Sequence, residues 1–474
     1  MKILFIKPNN LADHIQPSLG LAILAQLVRH RHGVEFLDCI KEDIPPERFA
    51  EIALRSKRED VDLICIQCYT FDIRNVKNIM RSIRAFNPKI KIMIGGAHIT
   101  TAPEEAMKDM GDLVDFAIAG EGELGFPGFV DALEEGRTQD FPKFPGVMWY
   151  ENGELKRNEP QLVPENRLDE LGVIAWDLIH PERYPEAQHG AFYEQFPIAP
   201  IITTRGCPYK CTFCSAPKQS GSELRHHSVD FVVNQIKMLH RDYGIREIHI
   251  VDDNFTMDLP YAKAVLRGII DANLGITLAM PNGIRMDWLD DEILGLMKQA
   301  GMYMVTVAIE NGNDRLLKLM RKGTTVARIR RDVERIKKHG FDVAAFFILG
   351  YPSETMEEME NTIRLSLDLD IQRANYFTYL PLPGTESYQQ LKSEGDLDGV
   401  DWEKFYFMSA AYVPKGLDRQ TLLRKKRSAF QRFYLRPRIF FYNLSKVRSH
   451  RHFRFLFRRF CHWMLMNPDK EAAA

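Results

Sequence analysis

Short apolar runs alternate with helical patterns through most of the chain. "KILFI" (2–6), "VEFLD" (34–38), "LICIQC" (63–68), "KIMIGG" (91–96) and "FAIAG" (116–120) are continuous runs of strand length. Between them apolar residues recur at helical spacing across "SLGLAILAQLVRH" (18–30), near 47–57, near 74–86 and from Pro103. Strands apolar on both faces, separated by amphipathic helices, predict a doubly wound parallel sheet. Residues 141–200 break the rhythm with many prolines and a hairpin, "VMWYENGEL" (147–155), turning at Asn152-Gly153. Then the alternation resumes with "APIITT" (199–204), "EIHIVDD" (247–253), "TLAMP" (277–281), "MVTVAIE" (304–310), "VAAFFIL" (343–349) and "RANYFTYL" (373–380). Six successive β/α units predict a barrel or partial barrel, with chemistry at the C-terminal ends of its strands.

The expected fold class is therefore α/β. A Rossmann-like doubly wound sheet (1–140) and a connector (141–195) precede a (β/α)6 partial TIM barrel (196–390) and a helical C-terminal region (391–474). Ligands of doubly wound sheets bind past the carboxyl ends of the strands. In the first half those ends are "PNN" (8–10), "QCYT" (67–70), "GGAHIT" (95–100) and "GEGE" (120–123), none of which is the nucleotide-binding GxGxxG.

Composition changes this picture in two places. The 474 residues are 45% hydrophobic and 27% charged, ordinary for a globular enzyme with real cores. No apolar run reaches the roughly 18 residues of a membrane span, and the first ten residues do not read as a signal peptide. The expected location is the cytoplasm. The net charge of −1 hides an asymmetry: Arg419 to Pro468 hold 14 Lys/Arg and no Asp/Glu, leaving 48 basic and 62 acidic residues in 1–418. A tail near +14 on a body near −14 calls for a docking surface. Three readings stay open for the aromatic, basic stretch 432–465. It docks peripherally on an anionic membrane, with Phe453, Phe457, Phe460 and Met464 on one side; it clamps onto the acidic body; or, least favoured, it binds nucleic acid.

The cysteines are seven, and Cys39, Cys65, Cys68 and Cys461 are scattered. That is no disulfide framework and fits a reducing compartment. The other three, Cys207, Cys211 and Cys214, follow the first barrel strand as C-x3-C-x2-C. Thiolates select zinc, copper(I) or iron–sulfur clusters. Three on a 4Fe–4S cube leave one iron without a protein ligand, an open coordination site. Zinc completed by His226 or His227 is the alternative.

The motif, with aromatic Phe213 just before the last cysteine, resembles that of the radical S-adenosylmethionine (SAM) enzymes. The resemblance implies that SAM chelates the fourth iron and that its reductive cleavage yields a 5′-deoxyadenosyl radical. "VDDNF" (251–255), "AIENGNDRLLKLMRKGTT" (308–325), "FFILGYPSET" (346–355) and "PLPGTESY" (381–388) resemble further family segments, with Asn311 where Ser is usual and Ser353 where Gly is usual. By that match Phe213, Asp253, Glu310 and Lys322 bind SAM; Arg205 and Arg285 are weaker candidates. No catalytic base is identified.

The first half resembles the cobalamin-binding branch of that family, the group with anaerobic Mg-protoporphyrin monomethyl ester cyclase, hopanoid methylases and bacteriochlorophyll ring methyltransferases. The matching segments are "PSLGLAILAQLVR" (17–29), "GGAHITTAPEEAM" (95–107) and "GEGE" (120–123). They nominate Asn9, Leu19, Gly20, Gly95, Gly96, His98, Gly120 and Glu121 as cobalamin contacts. The cobalt-ligating D-x-H-x-x-G is missing, so no histidine ligand is expected. The implied activity is a cobalamin-dependent methyltransferase acting on an unactivated carbon of an apolar tetrapyrrole or lipid, with flavodoxin or ferredoxin as electron donor. The alternatives are oxidative ring closure of the cyclase type, and a zinc-containing binding module with a cobalamin-sensing domain.

Overall fold

The computed structural model describes residues 1–10, 15–55, 58, 60–186, 192–398, 402–405 and 410–465. Seven strands form the first sheet: β1 (Lys2–Lys7), β2 (Gly33–Asp38), β3 (Leu63–Gln67), β4 (Lys91–Gly95), β5 (Phe116–Ile118), β6 (Val147–Glu151) and β7 (Glu154–Arg157). Their order is β2-β1-β3-β4-β5-β6-β7, with β1 to β5 parallel. Alternate side chains face opposite sides of a strand. Leu4, Ile6, Ile64, Ile66, Ile92 and Ile94 pack under α2 (Ile73–Phe86), while Ile3, Phe5, Leu63, Cys65 and Met93 pack under α1 (Leu19–Val28).

Two expectations change here. The hairpin β6–β7 is no free connector: it adds to β5 antiparallel, Phe116 opposite Trp149, and extends the sheet. The helix near 47–57 is instead a 3-10 turn, Pro46–Arg48, followed by a π turn, Ala50–Leu54. Pro45 and Pro46 bias the entry away from a regular α-helix.

Six strands of the second half build its barrel: β8 (Ile198–Ile201), β9 (Glu247–Ile250), β10 (Thr277–Ala279), β11 (Met304–Glu310), β12 (Asp342–Leu349) and β13 (Arg373–Thr378). They form two parallel three-stranded sheets, β10-β9-β8 and β11-β12-β13. The bridges Leu278–Met302 and Ile284–Val307 join them into an open six-stranded barrel.

The tail is built of α3 (Arg419–Tyr434), α4 (Pro437–Ser445) and α5 (His450–Leu465). Leu422, Leu423, Ala429, Phe433 and Ile439 enter the barrel core. Lys425 and Arg432 pair with Glu360, Arg438 with Asp370, and Lys446 and Arg448 with Glu194. The clamp reading therefore describes α3 and α4. On α5 the inward residues are His452, fully buried, and Phe455; Phe453 and Phe457 point outward. The side chain of Met464 lies outside the described residues. No described helix is long and apolar enough to cross a membrane.

Candidate active site at the strand ends

β8 ends where Thr203 and Thr204 turn toward Asp252. The buried Asp252 carboxylate accepts from both backbone amides (2.7 and 3.1 Å) and both hydroxyls (2.5 and 2.9 Å), tying the end of β8 to that of β9. Of the acidic pair in "VDDNF", Asp252 is thus structural, and Asp253 stays exposed. Gly206 then takes φ +96°, and a Cβ there would stand 2.0 Å from the Glu223 carbonyl oxygen, so no side chain fits.

The cysteine loop that follows is pinned at its middle. Thr212 donates its amide to the Met320 carbonyl (3.2 Å), shares a hydroxyl bond with Tyr351 (2.7 Å), and accepts from the Ser387 amide (2.9 Å). Those partners follow β11, β12 and β13, so three strand ends hold the segment between Cys211 and Cys214 before any ligand binds. Cys207, Cys211 and Cys214 are half-buried, and Cys207 and Cys214 each lie near Cys211 and Asp253. Burial raises the Cys207 pKa and pushes Cys214 up to about 12. The raised values keep Cys207 and Cys214 neutral on their own; metal binding is what would deprotonate them. Among the described residues, no three His, Cys, Asp or Glu side chains gather closely enough for a single metal ion. Nor does such a group include the two histidines of the zinc alternative: His226 Nδ1 bonds Glu165 (2.7 Å), and His227 Nδ1 bonds Asp169 (2.9 Å) while its ring stacks on Phe231.

Across the cleft, Lys322 Nζ sits 3.0 Å from Glu310 Oε1 and 5.9 Å from the Phe213 ring centroid. Both charged groups are buried and paired with each other. Glu310 ends β11 at a bulge with φ +69°, and Ser353 has φ +66°. The latter explains why glycine is usual at Ser353's place: the loop demands a left-handed residue. Asn311, the other departure, bonds the buried Glu354 (2.7 Å), whose pKa burial pushes up to about 7.

Arg285, a weaker candidate from sequence, sits closer to the cysteines than expected. Its guanidinium lies 3.8 Å over the Tyr209 ring, reaches within 3.9 Å of Cys211 Sγ, and bonds Asp287 (2.8 Å) and the Lys322 carbonyl. Thr212 and Glu354 were not singled out from sequence. Their role is visible only once the loops converge.

At the first sheet, the order β2-β1-β3 reverses direction between β1 and β3, the crevice where such sheets bind ligands. Among the described residues, three buried polar atoms in the loops at these strand ends have no hydrogen-bond partner: Asn9 Oδ1 after β1, Asp72 Oδ1 after β3 and His98 Nε2 after β4. Buried polar groups are normally paired, so these fit a polar ligand such as cobalamin. Gly96, at φ +111°, would bring a Cβ to 3.0 Å from the Cys68 carbonyl oxygen; at Gly95 a Cβ would meet Ile118 at 2.9 Å. Gly120, at φ +76°, donates its amide to Thr100 Oγ1 (2.9 Å). His98 is fully buried, with Nδ1 3.3 Å from the Thr70 hydroxyl and its ring edge-on to Trp402; burial pushes its pKa down to about 4, so it is neutral. Leu19 is spent on the core, and Gly20 is exposed with open space where a Cβ would stand.

Glu121 does something the motif did not suggest. Arg225 grips its carboxylate with two bonds (2.8 and 2.9 Å), the Val163 amide adds a third (2.6 Å), and Arg205 bridges it (3.4 Å) to Glu123 (2.8 Å). Arg205 lies one residue before Gly206. The loop after β5 is therefore keyed directly to the entry of the cysteine loop, and the two strand-end surfaces meet.

The radical SAM superfamily model matches residues 201–366, and a B12 binding domain model matches 11–130. An uncharacterized methyltransferase of Pyrococcus horikoshii is 31% identical over 445 residues, spanning 93% of this chain and 94% of that protein. Cytidylyl-2-hydroxyethylphosphonate methyltransferase of Streptomyces wedmorensis is 28% identical over 84% of this chain and 83% of its own. Among solved structures, the radical SAM methyltransferase TsrM of Kitasatospora setae, with cobalamin and a 4Fe–4S cluster bound, shares the fold: TM-score 0.67, 20% identity, 83% of this chain and 78% of that one. The chain belongs to the radical SAM superfamily, in the branch whose barrel is preceded by a B12-binding domain.

Proposed function

We propose that the protein is a cobalamin-dependent radical SAM methyltransferase that methylates an unactivated carbon of an apolar small molecule, a tetrapyrrole or a lipid. The observation that carries this reading is the junction of the two strand-end surfaces through Glu121, Arg205 and Arg225. It ties the loop after β5 of the first sheet to the entry of the cysteine loop, which supports a shared cleft for the two cofactors. When bound, the cluster and cobalamin supply one-electron reduction of SAM and carriage of a methyl group, chemistry that side chains cannot provide.

The chain's own share is binding, orientation and exclusion of water. Cys207, Cys211 and Cys214 would ligate three irons, in a loop whose shape Thr212 and Gly206 fix beforehand. Lys322 would turn from Glu310 to the carboxylate of SAM, a charge-assisted bond. Phe213 would pack beside it, and Asp253 would accept from polar hydrogens of SAM. Arg285, beside Cys211, would favour the thiolate. Asn9 and His98 would offer their unpartnered atoms to cobalamin, with no histidine below cobalt, while Gly95, Gly96 and Gly120 keep the backbone of the crevice bare. An open groove of about 630 Å3 beginning at Pro208, next in sequence to Cys207, offers Leu224, Met257, Leu259, Pro260 and Trp288 to the apolar part of a substrate and Ser222, Glu223 and Asp258 to any polar group it carries.

Anaerobic incubation with SAM, cobalamin, reductant and candidate tetrapyrroles or lipids tests the reading. A product heavier by one methylene, labelled from methyl-deuterated SAM, is expected. A product two hydrogens lighter, with no label, would replace methyl transfer by oxidative cyclisation.

A further inference from the structure

Among the 14 basic residues of the tail two sets contrast. Lys425, Arg432, Arg438, Lys446 and Arg448 answer acids of the barrel half and hold α3 and α4 in place. Arg451, Arg454 and Arg458 on α5 are exposed and, among the described residues, have no acidic partner. Beside them stand Phe453 and Phe457, one turn apart, rings stacked at 5.9 Å, 42% and 56% exposed. α4 adds Phe440, Phe441 and Leu444 at 43%, 64% and 48% exposure. Phe440 also touches Phe460 of α5, at 6.5 Å between ring centroids, so the two helices share one surface. The inward side of α5 is already taken by His452, against Tyr193, and by Phe455. The outward rings are therefore not core residues that happen to show.

Single exposed hydrophobics need no explanation, but five on two touching helices, bordered by arginines without counter-ions, do. We propose that the outer face of α4 and α5 docks the protein peripherally on an anionic lipid surface. Aromatic side chains with arginine on an amphipathic helix suit the zone between headgroups and acyl chains. Guanidinium groups pair with phosphate in forked geometry, and an unbroken positive sign draws the helix to anionic lipid. Leu444 among the rings favours acyl chains over nucleic-acid bases, which stack on aromatics.

The test uses the full-length protein without added cofactors, so its failure would leave the enzymatic reading standing. The protein is floated with phosphatidylcholine vesicles, with and without about 30% phosphatidylglycerol, at low and high salt. Binding should be at least about tenfold stronger with phosphatidylglycerol and should be released by salt. Arg451→Glu/Arg454→Glu/Arg458→Glu and Phe453→Ser/Phe457→Ser should each lower it at least about tenfold while melting like the parent, since all five side chains are exposed. If either variant melts early, Arg454→Gln/Arg458→Gln replaces it, with the same direction expected. No phosphatidylglycerol-dependent binding, equal binding by the variants, tighter retention on a single-stranded oligonucleotide, or a dimer lost in the Phe453→Ser/Phe457→Ser protein would each overturn the proposal.

Discussion

In the cysteine loop three soft donors lie within eight residues, and the segment between two of them is pinned by three other strand ends. At the first sheet the unpartnered atoms of Asn9, Asp72 and His98 come from three separate loops, each following a different strand. One site concentrates its chemistry in a motif and lets the fold hold it still. The other distributes its chemistry and lets the fold assemble it. The first kind can fail through one residue; the second loses affinity by degrees.

Substituting the ligands should give the largest effect. Cys207→Ala, Cys211→Ala or Cys214→Ala should each abolish SAM cleavage, read as 5′-deoxyadenosine, and the triple variant should lose its iron. Cys65→Ala and Cys68→Ala, buried at the first sheet, should leave iron content unchanged. At that sheet Asn9→Ala removes one hydrogen-bonding group, worth about 1 kcal/mol. Cobalamin uptake should weaken about tenfold or less. Complete loss of uptake in Asn9→Ala, or full iron in the triple cysteine variant, would break the contrast.

Next in size is the junction between the two sites. Glu121→Ala would leave Arg225 buried without its bidentate partner, and breaking such a pair costs about 3 kcal/mol. The urea midpoint should fall accordingly, with cysteine-bound iron retained. Burial alone would raise the Glu121 pKa, but the bonds from Arg225 and the field of Arg205 outweigh it and hold the carboxyl below its ordinary range. A depressed folded value means that this stability is present above the unfolded pKa of about 4.3 and is lost as pH falls through the folded value. The acid limb of the stability curve should flatten in Glu121→Ala.

The same contrast explains what could be read from the chain. The six barrel strands and β1 to β5 were legible because continuous apolar runs between helical patterns have few other solutions. The cysteine loop was legible because its donors are adjacent. Partners far apart in sequence were not. Nothing around Arg225 marks it as the partner of Glu121, 104 residues away. That β6 pairs with β5 depends on which edge the first sheet leaves open, which no local pattern records. Asp252 and Asp253 are chemically identical neighbours, and only the turn of Thr203 and Thr204 decides which is consumed by structure. The glycines at the carboxyl edge were visible as a pattern, yet Gly95, Gly96 and Gly120 are required by neighbouring backbone or side chains, while Gly20 is not.

A smaller effect separates the neutral, buried His98 from the charged pairs of the cleft. With a folded pKa of about 4, against about 6.5 unfolded, His98 binds its proton only in the unfolded chain over that range. Stability is therefore full above about pH 6.5 and falls as pH drops toward 4, by about 2 kcal/mol between pH 7 and pH 5. His98→Gln should remove that slope from urea midpoints measured at the two pH values. An unchanged slope would show that His98 carries its charge in the fold.

The smallest change expected is a gain. Ser353 occupies a left-handed conformation, φ +66°, in the loop after β12. A non-glycine residue there costs about 1–2 kcal/mol, and glycine would relieve it. Glycine brings its own penalty of about 0.5–1 kcal/mol in backbone entropy. The Ser353 hydroxyl also accepts a long bond from Arg315 (3.3 Å), but this is exposed and weak, and the second Arg315 bond, to the Ser353 carbonyl (2.9 Å), survives the substitution. Ser353→Gly should therefore raise the urea midpoint by the equivalent of about 0.5 kcal/mol. Glu310, at φ +69°, is strained alike, yet Glu310→Gly should destabilise, because it strands the buried Lys322 without its partner. Opposite signs for two glycines at equal φ would separate strain that the fold merely tolerates from strain that holds a charge in the cleft; equal signs would deny Glu310 that role.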